Sequence, residues 1–171
     1  MRTVGMALAI FVAVTCAASF ASQDPLIKFH PESGYKGWAL VKDSHLYGKG
    51  EGLTEVYDGG YKEYTDAGVL EASKQTYKNG NVFADLAVHR MKDAAAAKAF
   101  YGQQIRSAGK HAKAVSKPFT AFTWTTGGCV YGHLIVENYY ISSALTSKNA
   151  ASALDLMNEA ARRIMAKNKK R

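Results

Sequence analysis

Apolar and polar positions alternate with a period of two from Val82 to His89. Val82, Ala84, Leu86 and Val88 fall on one side, and Phe83, Asp85, Ala87 and His89 on the other. This is a strand with one strongly apolar face, and the second face reads as solvated. Residues 69–78 lead into it through Asn79-Gly80, the strongest short signal for a hairpin. Upstream, Leu53, Val56, Tyr57, Gly60, Tyr61 and Tyr64 recur at steps of three and four, one face of an amphipathic helix. Asp66-Ala67-Gly68 ends it, with Gly68 suited to a left-handed cap. Gly59 and Gly60 would then sit inside a helix, where each costs roughly 1 kcal/mol against Ala. Close packing or a bend is expected there.

A second helix is predicted from Ala94 to Ala108, capped by Asp93 and closed by Gly109, with Ala97, Tyr101, Ile105 and Ala108 as its stripe. A basic connector, Lys110 to Lys117, reaches Pro118. Strands follow at Phe119–Thr125, Cys129–Val136 and Tyr139–Leu145, turned by Gly127-Gly128 and Glu137-Asn138. Ser147 or Asn149 caps a last helix to about Lys167, with Ala150, Leu154, Met157, Ala161 and Ile164 as its stripe. Gly37–Lys42 reads as a short strand, and residues 22–36, with Pro25, Pro31 and Gly34, as an irregular leader. Hairpin-linked strands and separate helices give an α+β class: an antiparallel sheet of about five to six strands with three helices on it. The expected domain is 37–167, followed by a basic tail at 168–171.

The N-terminus has a different pattern. Arg2 precedes an apolar run from Val4 to Val14, and small residues follow to Ala21. Ser19 and Ala21 stand three and one positions before Ser22, which is the pattern of a secretory signal peptide spanning 1–21. The apolar run is shorter than the roughly 20 residues a membrane span needs. The expected location is periplasmic or extracellular. Cys16 raises the alternative of a lipid anchor. Ala13-Val14-Thr15 before it lack the Leu and the Gly or Ala of a lipoprotein signal, so cleavage is the preferred reading.

Removing 1–21 changes two other inferences. Only Cys129 remains, which excludes an internal disulfide and dithiol chemistry. Cys129 lies in an apolar run and reads as a buried, inert thiol. The net charge of +8 also becomes a local property. Arg162, Arg163, Lys167, Lys169, Lys170 and Arg171 crowd the last ten residues, and the body from Ser22 to Ala161 is nearly neutral. Cations there favour the helix dipole. Lys167, Lys169, Lys170 and Arg171 are also the candidates for contact with an anionic surface.

The stretch Leu46-Tyr47, then Tyr57-Asp58-Gly59-Gly60-Tyr61-Lys62-Glu63-Tyr64, then Gly68-Val69, resembles a family of exported bacterial proteins of unknown function. That uncharacterised family carries an Asn/Asp-Gly-Gly/Ala segment followed by Glu and Tyr, then a Gly-hydrophobic pair entering a strand. Arg90-Met91, and Asp93 with Ala99-Phe100-Tyr101, match its downstream features. Tyr61 departs from the pattern, where Ala is expected. The resemblance covers roughly 37–165. It implies fold and compartment and carries no activity.

Chemistry-bearing residues are dispersed. His30, His45, His89, His111 and His133 show no metal-ligand spacing, and no metal or cofactor is expected. Asp85 and His89 share the outer face of one strand and read as solvated. Glycines 48, 50 and 52 lack the Lys-Ser/Thr of a phosphate loop. Tyr57, Asp58, Gly59, Gly60, Tyr61 and Tyr64 are the candidate ligand-binding residues. Their rings over small glycines suit a groove for a sugar, peptide or apolar ligand, while the helical spacing favours core. The expected function is an exported, non-enzymatic domain that binds a ligand, an envelope polymer or a protein, and not nucleic acid. The alternatives are an enzyme with a dispersed site and an accessory subunit of an envelope complex.

Overall fold

A computed structural model describes residues 24–57 and 59–169. The signal-peptide reading, Cys16, Asp58, Lys170 and Arg171 lie outside the described residues. The strands are β1 (Ala39–Leu40), β2 (Leu46–Lys49), β3 (Val69–Asn79), β4 (Val82–Met91), β5 (Lys113–Val115), β6 (Thr120–Thr126), β7 (Cys129–Val136) and β8 (Tyr139–Leu145). The α-helices are α1 (Tyr61–Asp66), α2 (Ala94–Ala108) and α3 (Ala150–Asn168). All eight strands form one antiparallel sheet in the order β1-β3-β4-β8-β7-β6-β5, with β2 also paired to β3. The α+β class is as expected, but the sheet is larger than five to six strands. The strands not anticipated as such, β2 and β5, are four and three residues long, too short to show a period.

Helices cover both faces of the sheet. α3 lies on one, and its buried Ala153, Leu156, Met157, Ala160, Ala161 and Ile164 meet Leu86, Val88, Leu134 and Ile141. The side chain of Asn149 caps it, accepting from the Ala151 N–H at 3.1 Å. Gly132 of β7 makes this approach possible: a Cβ there would stand 2.5 Å from Met157 Cε and 2.8 Å from Ser143 Oγ. Residues 24–36, read as a leader, add a 3-10 turn at Ile27–Phe29 and place Leu26 and Phe29 in this same core. The Tyr77 hydroxyl holds them by donating to the Pro31 carbonyl at 2.9 Å.

The opposite face carries a second core of Leu53, Val56, Met91, Ala97, Phe100 and Tyr140 under α1 and α2. This corrects the reading of the outer face of β4 as solvated. Its Ala87 is 8% and its His89 1% exposed. The alternation in β4 is real, but α2 crosses the face that the polar residues mark.

The continuous helix over Leu53–Tyr64 is also corrected. A 3-10 turn spans Gly50–Glu55, and α1 starts only at Tyr61. Gly59 and Gly60 between them have φ of +71° and +67°, and a Cβ on either would meet nothing within 4 Å. Glycine is needed here for backbone conformation and not for close packing.

Candidate functional site

The break at Gly59-Gly60 folds Tyr57 back onto Tyr64. Their rings stack with centroids 3.7 Å apart and planes 8° apart. Below them lies a cavity of about 230 Å³ on the α2 side of the sheet. Tyr57, Tyr64 and Phe100 form its roof, and His89, Tyr140 and His133 stand in its floor. The floor follows from register: His89 of β4 pairs with Tyr140 of β8, and β7 beside it carries His133 on the same face. The His89 ring is nearly parallel to both tyrosines, at 13° and 4°.

The hydrogen bonds fix which ring atoms are open. His89 Nδ1 is 2.9 Å from the Tyr140 carbonyl, which can only accept. Nδ1 therefore carries the hydrogen, and Nε2 keeps a lone pair with no hydrogen-bond partner among the described residues. Trp124 donates its indole N–H to His133 Nε2 at 3.3 Å. That makes His133 Nδ1 the donor to the Tyr140 hydroxyl. The Tyr140 oxygen is thus an acceptor inside the protein, and its own O–H has no acceptor among the described residues. The Tyr57 hydroxyl is buried with no hydrogen-bond partner among the described residues.

Burial sets the charge of the site. Desolvation lowers His89 to about 4, against the opposing pull of the Tyr140 carbonyl bond. Desolvation, and secondarily His89, lower His133 to about 4. Burial pushes Tyr57, Tyr64 and Tyr140 up. Near neutral pH all five groups are uncharged. Lys74 and Asp85 also line the cavity. The Lys74 ammonium points at the Val56 carbonyl, 3.4 Å away, and Asp85 accepts from Thr76 at 2.6 Å.

Of the predicted ligand residues, Tyr57 and Tyr64 line the cavity. Tyr61 packs against the second core, and Gly59 and Gly60 are exposed turn residues. Sequence reasoning did not select His89, His133, Tyr140 and Phe100. The signal available for His89 was its place beside Asp85 on one strand face, which was read as solvent. At the C-terminal end of α3, Lys167 sits 5.4 Å over the Phe29 ring and Lys169 is the exposed cap residue. The basic character is not confined to that tail. No acidic residue occurs between Ala94 and Val136. Exposed Lys98, Arg106, Lys110, Lys113 and Lys117 follow α2 and the β5 edge, with no ion pair among the described residues.

Two other clusters are already internally paired. Asp24 Oδ2 meets His45 Nε2 at 2.7 Å and the buried Ser73 hydroxyl at 2.6 Å, while Ser73 Oγ lies 3.3 Å from the same Nε2. A catalytic triad needs the two imidazole nitrogens to face acid and nucleophile separately, so this arrangement anchors the N-terminal segment to β3. Glu71 accepts from Arg90 at 2.5 Å and from Tyr47 at 2.7 Å, beside a polar cavity of about 540 Å³. Cys129, expected buried, is half-buried at the start of β7. No cluster of three or more metal-ligating side chains exists among the described residues, and no described helix is long and apolar enough to cross a membrane.

No family model and no curated protein matches the chain. Among solved structures it is similar to the extracellular domain of PknH from Mycobacterium tuberculosis. That similarity has a TM-score of 0.50 at 12% identity and covers 78% of this chain and 86% of that one. At this identity the likeness is one of fold: the two chains share an architecture.

Proposed function

We propose that this chain is an exported, non-enzymatic domain that binds a small ligand in the cavity beneath Tyr57 and Tyr64. The observation that carries the reading is the buried Tyr57 hydroxyl, without a hydrogen-bond partner among the described residues, in a cavity also lined by His89 with its open Nε2. An unpaired buried hydroxyl costs about 1–3 kcal/mol, and a native fold keeps such a cost where something else answers it. The cavity also has the composition of a small-molecule site, mostly aromatic and apolar with a few convergent polar groups. The neutral His89, His133 and Tyr140 of the floor, with no nucleophile–base pair among them, favour binding over catalysis. Export is supported by the pattern of residues 1–21 and accords with a fold shared by an extracellular domain. The same reading keeps the chain with the exported family whose Asp-Gly-Gly segment it resembles.

The test is a fragment screen by protein-observed NMR. Hits should perturb the resonances of Tyr57, Tyr64, His89 and Phe100 together. Hits that cluster on another surface, or a screen that yields none, would remove this reading.

A further inference from the structure

The open groups of the cavity constrain what it holds, given the reading of it as a ligand site. His89 Nε2 can only accept, the Tyr140 O–H can donate, and the Tyr57 hydroxyl can do both. The roof is a tyrosine stack with Phe100 at its edge, 5.7 Å from Tyr64 and inclined at 62°. A planar ring meets such walls with little loss of conformational entropy.

Three ligand classes can be compared against this inventory. A purely apolar ring would fill the space but leave His89 and Tyr57 unanswered. A monosaccharide carries hydroxyls all round its ring, and those facing the rings of Tyr57, Tyr64 and Phe100 would meet no partner, although Gln104 and Ser142 at the wall could answer others. A carboxylate would share the wall with the Asp85 carboxylate, whose charge offsets that of Lys74, so no net positive charge faces it. We propose that the cavity takes a neutral aromatic ring bearing one hydroxyl, a phenol, whose O–H donates to His89 Nε2 and whose oxygen accepts from Tyr57 or Tyr140. No bond is made or broken, and the ligand leaves as it came.

The experiment is isothermal titration calorimetry of the full chain with p-cresol, toluene, p-toluate and glucose, repeated on Tyr57→Phe and His89→Phe. The expected result is that p-cresol binds at least tenfold more tightly than toluene, with no detectable p-toluate or glucose binding. Both variants should erase most of the preference for p-cresol over toluene. Tyr57→Phe removes one oxygen and keeps the ring, so it serves as the readout if His89→Phe fails to fold. Equal binding of p-cresol and toluene, or tighter binding of p-toluate or glucose, overturns the phenol class and leaves the cavity as a ligand site. Binding of none of the four by the folded chain overturns both.

Discussion

Tyr57 and Tyr64 lie face to face at 3.7 Å, although seven positions separate them in sequence and no helix joins them. Two successive left-handed residues, Gly59 and Gly60, reverse the chain between them. A side chain at either position has room but not the backbone, because the left-handed conformation costs an L-residue roughly 1–2 kcal/mol. Gly60→Ala should therefore destabilise the fold by about that amount. It should also loosen the roof before the sheet, seen as faster amide exchange at Tyr57 and Tyr64 with β4 and β8 unchanged. Uniform loss of protection would contradict this.

Two buried tyrosine hydroxyls, on opposite faces, give a paired test. Tyr77 donates to the Pro31 carbonyl, whereas Tyr57 has no partner among the described residues. Tyr77→Phe should cost about 1–3 kcal/mol, since it leaves a carbonyl unpaired. Tyr57→Phe should be neutral or stabilising by up to about 1 kcal/mol. Chemical denaturation measures both. Equal losses would show that the Tyr57 hydroxyl is satisfied in the folded protein.

Stability should fall with acid. Burial lowers His30, His89 and His133 from 6.5 to about 4. In the folded state these rings stay neutral down to about pH 4, while in the unfolded chain they take up protons near 6.5. The unfolded state then binds more protons across that window. The contribution is complete above 6.5 and is lost as pH drops toward 4. Each buried ring contributes a slope of about 1.4 kcal/mol per pH unit. Calorimetric Tm from pH 7.5 to 4.5 should fall steeply below 6.5, and His89→Phe should flatten the slope. A flat profile would mean the rings are not buried neutral.

Gly132 and Met157 should be coupled. Gly132→Ala forces a methyl into the space of Met157 Cε and Ser143 Oγ and should cost about 1–3 kcal/mol. In a Met157→Ala background the new methyl enters vacated space, so the double variant should lose less than the sum of the singles. Strict additivity would place α3 further from β7.

Much of the fold is legible in the chain because its signals are local. Asp93 and Asn149 cap α2 and α3, and the Asn79-Gly80 signal marks the β3–β4 hairpin, whose two-residue loop is Gly80-Asn81. The second face of β4 is illegible for the opposite reason. His89 has the polarity of a solvated residue, and only Tyr57, Tyr64 and α2, packed over it from elsewhere in the chain, make it buried. The candidate site was half visible. Tyr57 and Tyr64 stand out by helical spacing, yet they meet through a turn that breaks the helix. Tyr140 looked like a strand residue, and its role depends on the register that sets it beside His89. Short strands such as β5 carry too few residues for any pattern.

The most direct measurement is the nitrogen-15 spectrum of the histidine rings at pH 7, with and without p-cresol. The expected result is His89 as the neutral ring with hydrogen on Nδ1, and an Nε2 resonance that moves upfield when p-cresol donates to it. A protonated His89, or a neutral ring with hydrogen on Nε2, would contradict the site as described.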